Sequence, residues 1–376
     1  MMKIGFDAKR LYNNFTGLGN YSRTLVNDLH ANYPEDELFL YSPKIRHTPE
    51  TDFFLQNPEL HTHLHPGAGG AYWRTFSIKK DLKRDGIELY HGLSHEIPAG
   101  IQRTSIKSVV TIHDIIYKTY PDMFTAIDRL IYDRKFRYSC KHADKIIAIS
   151  ECTKNDIIRY FGTPADKIEV IYQAINPVFY QMQDTEKARQ TVAAYHIPED
   201  FLLYVGSINS RKNLLSVIKA YALLPDDLQI PLVIIGKGGQ YKDEVLKYAA
   251  SRQLISKLIL IDNLHDSETL QAFYQQAKLF VFPSVYEGFG LPVTEALLSK
   301  TPVITSNISS LPEAGGPAPV YVPPYDIEAI AEGIKHILCD TTSRTRMVEE
   351  GFQYAHQKFD PRTLCTQVHN LYKQLL

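Results

Sequence analysis

Short, near-continuous apolar runs bounded by polar or glycine-rich segments recur along the 376-residue chain. In the first half these are "KIGFDA", "ELFLYS", "ELYHG", "SVVTIHD", "DKIIAIS" and "IEVIY". Their β-branched content predicts buried strands. Amphipathic stretches at 21–31, 72–84, 126–142 and 151–161 alternate with them and predict helices. After a polar, alanine-dotted stretch at 181–200 the rhythm restarts, with strands predicted at "FLLYVGS", "PLVIIG", "LILID", "LFVFPS", "PVITS" and "APVYV". Strands apolar on both faces and separated by helices indicate parallel sheets covered on both sides. The pattern predicts an α/β protein of two doubly wound, Rossmann-like domains with right-handed crossovers.

A chain of this length exceeds one ordinary core, in keeping with two domains. Hydrophobic content of 44% and charged content of 22% fit a soluble globular protein. A formal net charge of −1 gives no basis for bulk nucleic-acid binding. No apolar run approaches the roughly 18 residues of a membrane span. The opening "MMKIGFDAKR" has no apolar signal-peptide core, and Cys140, Cys152, Cys339 and Cys365 form no C-x-x-C pair. The expected compartment is a reducing cytoplasm.

Doubly wound sheets bind ligands beyond the carboxyl ends of their strands, which directs attention to the loops that follow strands. In "SVYEGFGLPVTEA", Gly288 and Gly290 let backbone approach a ligand closely, and Pro292 suits a helical first turn. That helix start is an anion and hydroxyl site. Glu287 before it suits sugar hydroxyls, and Glu295 inside it suits a vicinal diol such as a ribose. A glycine-rich elbow with two solvated glutamates fits the same spacing. In "YVGSINSRKN", a strand runs into Gly206, and Arg211 and Lys212 open the next helix, where two cations oppose the dipole unless a diphosphate offsets them. A solvated basic turn is the alternative. His113, in "TIHDIIY", ends a strongly apolar strand and serves either as a contact to a sugar hydroxyl or as a buried, satisfied histidine; His91 in "ELYHG" reads as structural. "TGLGNYSR" departs from G-x-G-x-x-G, which weakens a dinucleotide reading. Gly17 and Gly19 still bring amides toward a phosphate, unless the segment is a plain helix entry. "GKGGQ" reads as a turn. "HTHLH" (His61, His63, His65) reads as a loop without a metal. The basic, aromatic stretch "RLIYDRKFRYSCKHADK" is either a solvated face or a contact to anionic headgroups.

Together these segments resemble the retaining glycosyltransferases of family 4, which have the two-domain GT-B fold. The resemblance covers nearly the whole chain and rests on five motifs in order: "TGLGNY", "TIHD", "ISECTKNDI", "YVGSINSRKN" and the E-x(7)-E pair Glu287 and Glu295. The likeness to bacterial mannosyl- and rhamnosyltransferases of polysaccharide assembly is less specific. The resemblance implies an N-terminal acceptor domain at 1–185, a C-terminal nucleotide-sugar domain at 186–360, and a helix at 361–376 crossing back to the first, with hinges near 181–200 and 358–362. It assigns the donor diphosphate to Arg211 and Lys212, the ribose to Glu295 and the transferred sugar to Glu287. Amides around Phe289, Gly290 and Leu291 would reach the sugar or distal phosphate. His113 would sit near the anomeric carbon, Gly17 and Gly19 would line the phosphate and acceptor side, and Asn263 and Leu264 would hold the base through main-chain bonds. The family often has glycine where Lys300 or Thr301 stands here, and "GGPAP" replaces a more usual small-residue run.

The expected activity is transfer of a hexose, mannose from GDP-mannose by preference, to a saccharide or lipid-linked saccharide, without metal or other cofactor. Peripheral contact with the inner face of a membrane accompanies that expectation. A nucleotide-sugar epimerase and a non-catalytic carbohydrate-binding subunit are the alternatives. A retaining hydrolase pair is disfavoured, because its carboxyl groups need to approach to about 5–5.5 Å, whereas eight helical steps span about 12 Å.

Overall fold

The computed structural model describes residues 1–65, 67–264 and 266–376. Two compact units emerge, Met1–Ala174 with Pro361–Leu376, and Ile175–Asp360.

The first unit holds a seven-stranded parallel sheet in the order β3-β2-β1-β4-β5-β6-β7. Its strands are β1 Lys3–Asp7, β2 Glu37–Ser42, β3 Leu60–Leu64, β4 Leu89–Gly92, β5 Lys107–Ile112, β6 Lys145–Ala148 and β7 Ile168–Val170. Ile4, Phe6, Leu89, Val109, Val110, Ile112, Ile146 and Ile147 lose all solvent contact, as the unbroken apolar runs predict for strands covered on both faces. β3 corrects the loop expected at "HTHLH". Leu60, His61, Thr62, His63 and Leu64 add an edge strand to β2, with His61 paired to Phe39 and His63 to Tyr41. The imidazoles stay in place by lying against the Phe39 and Tyr41 rings, at centroid distances of 4.6 and 5.0 Å. The helix predicted at 72–84 is interrupted by a π turn at Trp73–Ser77, and the one predicted at 126–142 forms as Ala126–His142.

The second unit has a six-stranded parallel sheet, β10-β9-β8-β11-β12-β13. Its strands are β8 Leu202–Val205, β9 Leu232–Ile235, β10 Leu258–Ile261, β11 Leu279–Phe282, β12 Val303–Ser306 and β13 Val320–Val322. Chain order reverses between β8 and β11, so the loops leaving these two strands flank the switch point where such sheets bind ligands.

The break between units falls after Ala174 rather than after 185. Residues 175–185 are tied into the second unit. Gln271 Nε2 donates to the carbonyls of Val178 and Gln181, Gln275 Oε1 accepts from the Gln183 amide, and the Phe179 ring meets Tyr274 edge-on. The Pro361–Leu375 helix belongs to the first unit. There His369 Nε2 bonds Asp36 Oδ2 at 2.9 Å while its ring stacks on Tyr33, and Tyr372 Oη bonds His91 Nδ1 at 2.6 Å.

Candidate active site

Arg211 and Lys212 do not open the helix that follows β8. They occupy one 3-10 turn, Ser210–Lys212, and Asn213 in the left-handed region (φ 60°) separates that turn from the Leu214–Tyr221 helix. Asparagine tolerates this conformation, and its amide donates to the carbonyls of Pro283 and Pro324. The dipole cost expected from the sequence is therefore not incurred there. The counter-charge is Glu287, supplied by the loop after β11.

Glu287 is 8% exposed, and three donors converge on one of its oxygens, Oε1: Lys212 Nζ at 2.6 Å, Ser284 Oγ at 2.6 Å and Arg211 Nη1 at 2.9 Å. Burial alone would lift this carboxyl, but Lys212 and Arg211, with the hydrogen bonds, more than offset it and hold it below the usual carboxylate range. Lys212 is drawn below the usual ammonium value, first by burial and then by the neighbouring Arg211, against the pull of Glu287. Both directions have one origin: a single carboxylate is shared by two enclosed cations. The triad therefore carries one positive charge in excess, in a place water reaches poorly, and that is a strong attractor for an anion. Lys212 also lies 4.9 Å from the centre of the Phe282 ring.

Two glycines shape the floor beneath Lys212. Gly206 has φ 150°, and a Cβ there would touch the Phe282 ring at 3.4 Å. At Gly236, the first residue of "GKGGQ", a Cβ would lie 2.0 Å from the Gly206 carbonyl oxygen. The loops after β8 and β9 thus pass at a separation only glycine permits, and Ile208 pairs with Gly238 across them.

The loop after β11 is fixed from behind. Ser310 Oγ donates to the carbonyls of Glu287 and Phe289, and Ser309 Oγ accepts from the Glu287 amide. Phe289 is buried with its ring edge-on to Phe359. Gly290, at φ 116°, caps the Leu291–Leu298 helix, and a Cβ there would press on Leu311 at 2.9 Å. The helix thus opens at Leu291: Pro292 has no N–H, the Val293 amide donates to the Gly290 carbonyl at 2.9 Å, and the Leu291 amide is the first-turn donor without an intrahelical acceptor. One turn further, Glu295 keeps a small accessible face, accepts from Tyr274 Oη at 3.3 Å and feels the charge of Lys212. Burial pushes its carboxyl up to about 7, against Tyr274 and Lys212. The second unit therefore brings Gly206, Arg211, Lys212, Glu287, Phe289, Gly290, Leu291 and Glu295 together at the switch point. Asn263, exposed, and Leu264, partly buried, follow edge strand β10 at the carboxyl end of the same sheet. Ser284, Ser309, Ser310, Asn213 and Tyr274 were not singled out from the sequence. Asn213, directly after "SRK", carried a signal in its tolerance of φ > 0; the serines and Tyr274 carried none.

The remaining candidates lie in the first unit. His113 is buried, with Nε2 donating to the Leu93 carbonyl at 2.9 Å and its ring against Tyr21 and His95. Burial pushes its pKa down to about 3, so the imidazole is neutral, and with Nε2 carrying the proton Nδ1 is the acceptor. His91 is a structural residue, bonded on both nitrogens by Tyr372 and Thr111. Gly19 departs from its expected part. Its amide is directed to Asn14 Oδ1 and the Thr16 carbonyl, and a Cβ there would overlap the Asn14 carbonyl oxygen at 1.7 Å. Gly19 makes room for a tight helix entry rather than offering an amide to phosphate. The carbonyl of Gly17 accepts from Gln173 Nε2 at 3.3 Å. An ionic network that the sequence did not announce runs from buried Asp7 and nearly buried Arg74 to the partly exposed Glu96 and Lys135.

Lys300 adopts φ 57° at the end of the Leu291–Leu298 helix, which accounts for glycine being usual near this position in the resembled family.

Two doubly wound parallel sheets, the second carrying a net-cationic pocket beside a glycine-capped helix start, define a glycosyltransferase of the GT-B fold. Residues 15–179 match the model of Glycosyltransferase Family 4, and residues 187–354 that of Glycosyl transferases group 1. Over 398 aligned positions, covering all of both chains, the sequence is 30% identical to O-antigen chain mannosyltransferase B of Escherichia coli. It is 29% identical over 276 residues to O-antigen chain mannosyltransferase RfbU of Salmonella typhimurium, covering 73% of this chain and 71% of that one. Among solved structures, sucrose-phosphate synthase of Thermosynechococcus elongatus superposes with a TM-score of 0.78 at 20% identity, over 100% of this chain and 99% of that one. The chain belongs to the family 4 glycosyltransferases.

Proposed function

We propose that this enzyme transfers a hexose, with retention of anomeric configuration, from a nucleoside diphosphate sugar to a saccharide or lipid-linked saccharide of a cell-surface glycan. Mannose from GDP-mannose is the preferred donor, a reading supported by the names of the two mannosyltransferase relatives. The observation that carries the proposal is the enclosed Arg211–Lys212–Glu287 triad with its excess positive charge, set beside Glu295.

Departure of the nucleoside diphosphate places negative charge on its distal phosphate and positive charge on the anomeric carbon. Arg211, Lys212 and the start of the Leu291–Leu298 helix stabilise the first by preorganised electrostatics. Glu287 keeps lone pairs for sugar hydroxyls while it orders the two cations, Glu295 takes the ribose diol, and the base lies along Asn263 and Leu264. His113, held neutral, contacts the donor sugar. The leaving phosphate accepts the acceptor's proton on the face it departs from, so no protein nucleophile is assigned. Two side-chain cations supply the charge a metal would otherwise bring, and turnover is expected to persist in a chelator. A lipid-linked acceptor would place the reaction at a membrane surface.

The test is thermal unfolding with GDP, UDP, ADP and dTDP, for the wild type and for Glu295→Ala. A selective ligand at about a hundred times its dissociation constant raises stability by roughly 2.7 kcal/mol. Selective stabilisation by GDP, diminished in the variant, supports the reading. Stabilisation by another diphosphate reassigns the donor, and no response to any of them removes the donor-site assignment.

A further inference from the structure

The Ala126–His142 helix of the first unit is apolar on two opposite faces. One face buries Phe136, Ser139 and Cys140. On the other, Ile127 and Leu130 are each 71% exposed and Ile131 is 45% exposed. Burial of an Ile or Leu side chain is favourable, so three such side chains in water on one helical stripe forgo a gain that a covering surface would supply. Ile127, Leu130, Ile131 and Arg134 stand at i, i+3, i+4 and i+7, which places them on one face. Lys141 continues the same stripe two turns on. Met123, just before the helix, is also exposed.

Charge on this helix is one-sided. It carries five cations against two carboxylates. Asp133 is engaged by Lys118 and Arg137, and Asp128 lies in the first turn, where it bonds Thr125. Arg129, Arg134 and Lys141 make no ion pair among the described residues. Beside the stripe, a cavity of about 300 Å³ is lined by Phe76, Ile97, Arg134, Lys135 and Tyr138. Phe76 is half exposed on its far wall, with Tyr72 near it in the chain. Exposed aliphatic side chains flanked by unpaired cations match a helix lying at the boundary between acyl chains and anionic headgroups. A soluble acidic partner would use the cations but leave Ile127, Leu130 and Ile131 in water.

We propose that this face is where the first unit docks on an anionic lipid bilayer, with Ile127, Leu130 and Ile131 entering the headgroup boundary and Arg134 and Lys141 meeting lipid phosphates. This names the surface for the membrane contact in the preceding reading and rests on it only in that respect.

The experiment is flotation of the full chain with vesicles of phosphatidylglycerol and phosphatidylethanolamine, and with phosphatidylcholine vesicles for comparison. The wild type is expected to float with the anionic vesicles, less so at high salt, and weakly with phosphatidylcholine. Leu130→Ser/Ile131→Ser is expected to weaken binding at least tenfold with an unchanged melting temperature, since both side chains lie outside the core. Arg134→Gln/Lys141→Gln is expected to lose the preference for anionic vesicles. A wild type that stays in the soluble fraction, or a Leu130→Ser/Ile131→Ser variant that floats as well as the wild type, overturns the proposal. So does a concentration-dependent dimer that the same substitutions abolish, which would assign the face to a second copy. Transfer to a soluble saccharide acceptor, measured in parallel, separates this proposal from the donor-site reading: the variant retains it if that reading holds, whatever the vesicles show.

Discussion

Lys212 and Glu295 face each other across a balance of charge that a nucleotide would upset in both directions. Removing the ammonium with Lys212→Met leaves Arg211 alone on Glu287 and abolishes the excess positive charge, and turnover is expected to fall about 10²–10³-fold if one preorganised donor is worth what such donors are worth elsewhere. Steady-state kinetics with the nucleotide sugar measure this, and a fall confined to KM would mean that Lys212 only holds the ground state. Glu295 has a different signature. Its carboxyl lies at about 7 in the folded chain against an ordinary 4.5, so between those values the folded state holds a proton the unfolded state has lost. This group therefore draws stability down as pH rises through that window. Glu295→Gln should gain on the wild type across it, by an amount on the order of 3 kcal/mol, seen as diverging melting temperatures of the free proteins. Nucleotide affinity should run the other way. The wild type binds better as the carboxylate forms above about 7, and the variant loses that dependence. The segments were legible in the sequence, because glycines and charged residues directly after buried strands mark the loops at the carboxyl end of a doubly wound sheet, although solvated turns fitted the same residues. Their pairing was not. Nothing local to "SRKN" announces that its counter-ion is Glu287, 75 or more residues away.

At the level of elements, the apolar runs made twelve strands readable because strands buried on both faces need no alternation. The thirteenth, β3, was hidden because an edge strand can carry polar residues on its outer side, and "LHTHL" buys its place through ring stacking on Phe39 and Tyr41. "GKGGQ" shows the converse: turn glycines were legible, but their spatial duty was not. Gly236→Ala would set a methyl against the Gly206 carbonyl, in a backbone conformation that disfavours any side chain. It should cost about 3 kcal/mol and displace the floor beneath Lys212, so that nucleotide affinity falls with stability. Denaturant unfolding and nucleotide titration of the same variant test both, and an unchanged affinity would show that the floor does not position the cation.

Across the whole molecule, three histidines of the first unit set its response to acid. His91, His95 and His113 are held neutral by burial, their pKa values pushed down to about 3. An unfolded chain protonates them near 6.5. Their contribution is therefore fully present above that pH and lost as pH falls from about 6.5 toward 3, with a slope of up to about 4 kcal/mol per pH unit for the three. Acid unfolding followed by circular dichroism should show it, and His91→Gln should remove roughly a third.

His91 also joins the first unit to a segment made much later. Its partner Tyr372, like His369 on Asp36, belongs to a helix separated from the rest of that unit by the whole of the second, residues 175–360. On the ribosome, at roughly 5–20 residues per second, those intervening residues take about 10–40 seconds to emerge. During that interval the nascent first unit waits with His91 lacking Tyr372 and Asp36 lacking His369, and by its end the second unit has all its strands in hand. The second unit is thus the first that can finish folding, and the half translated first is completed last.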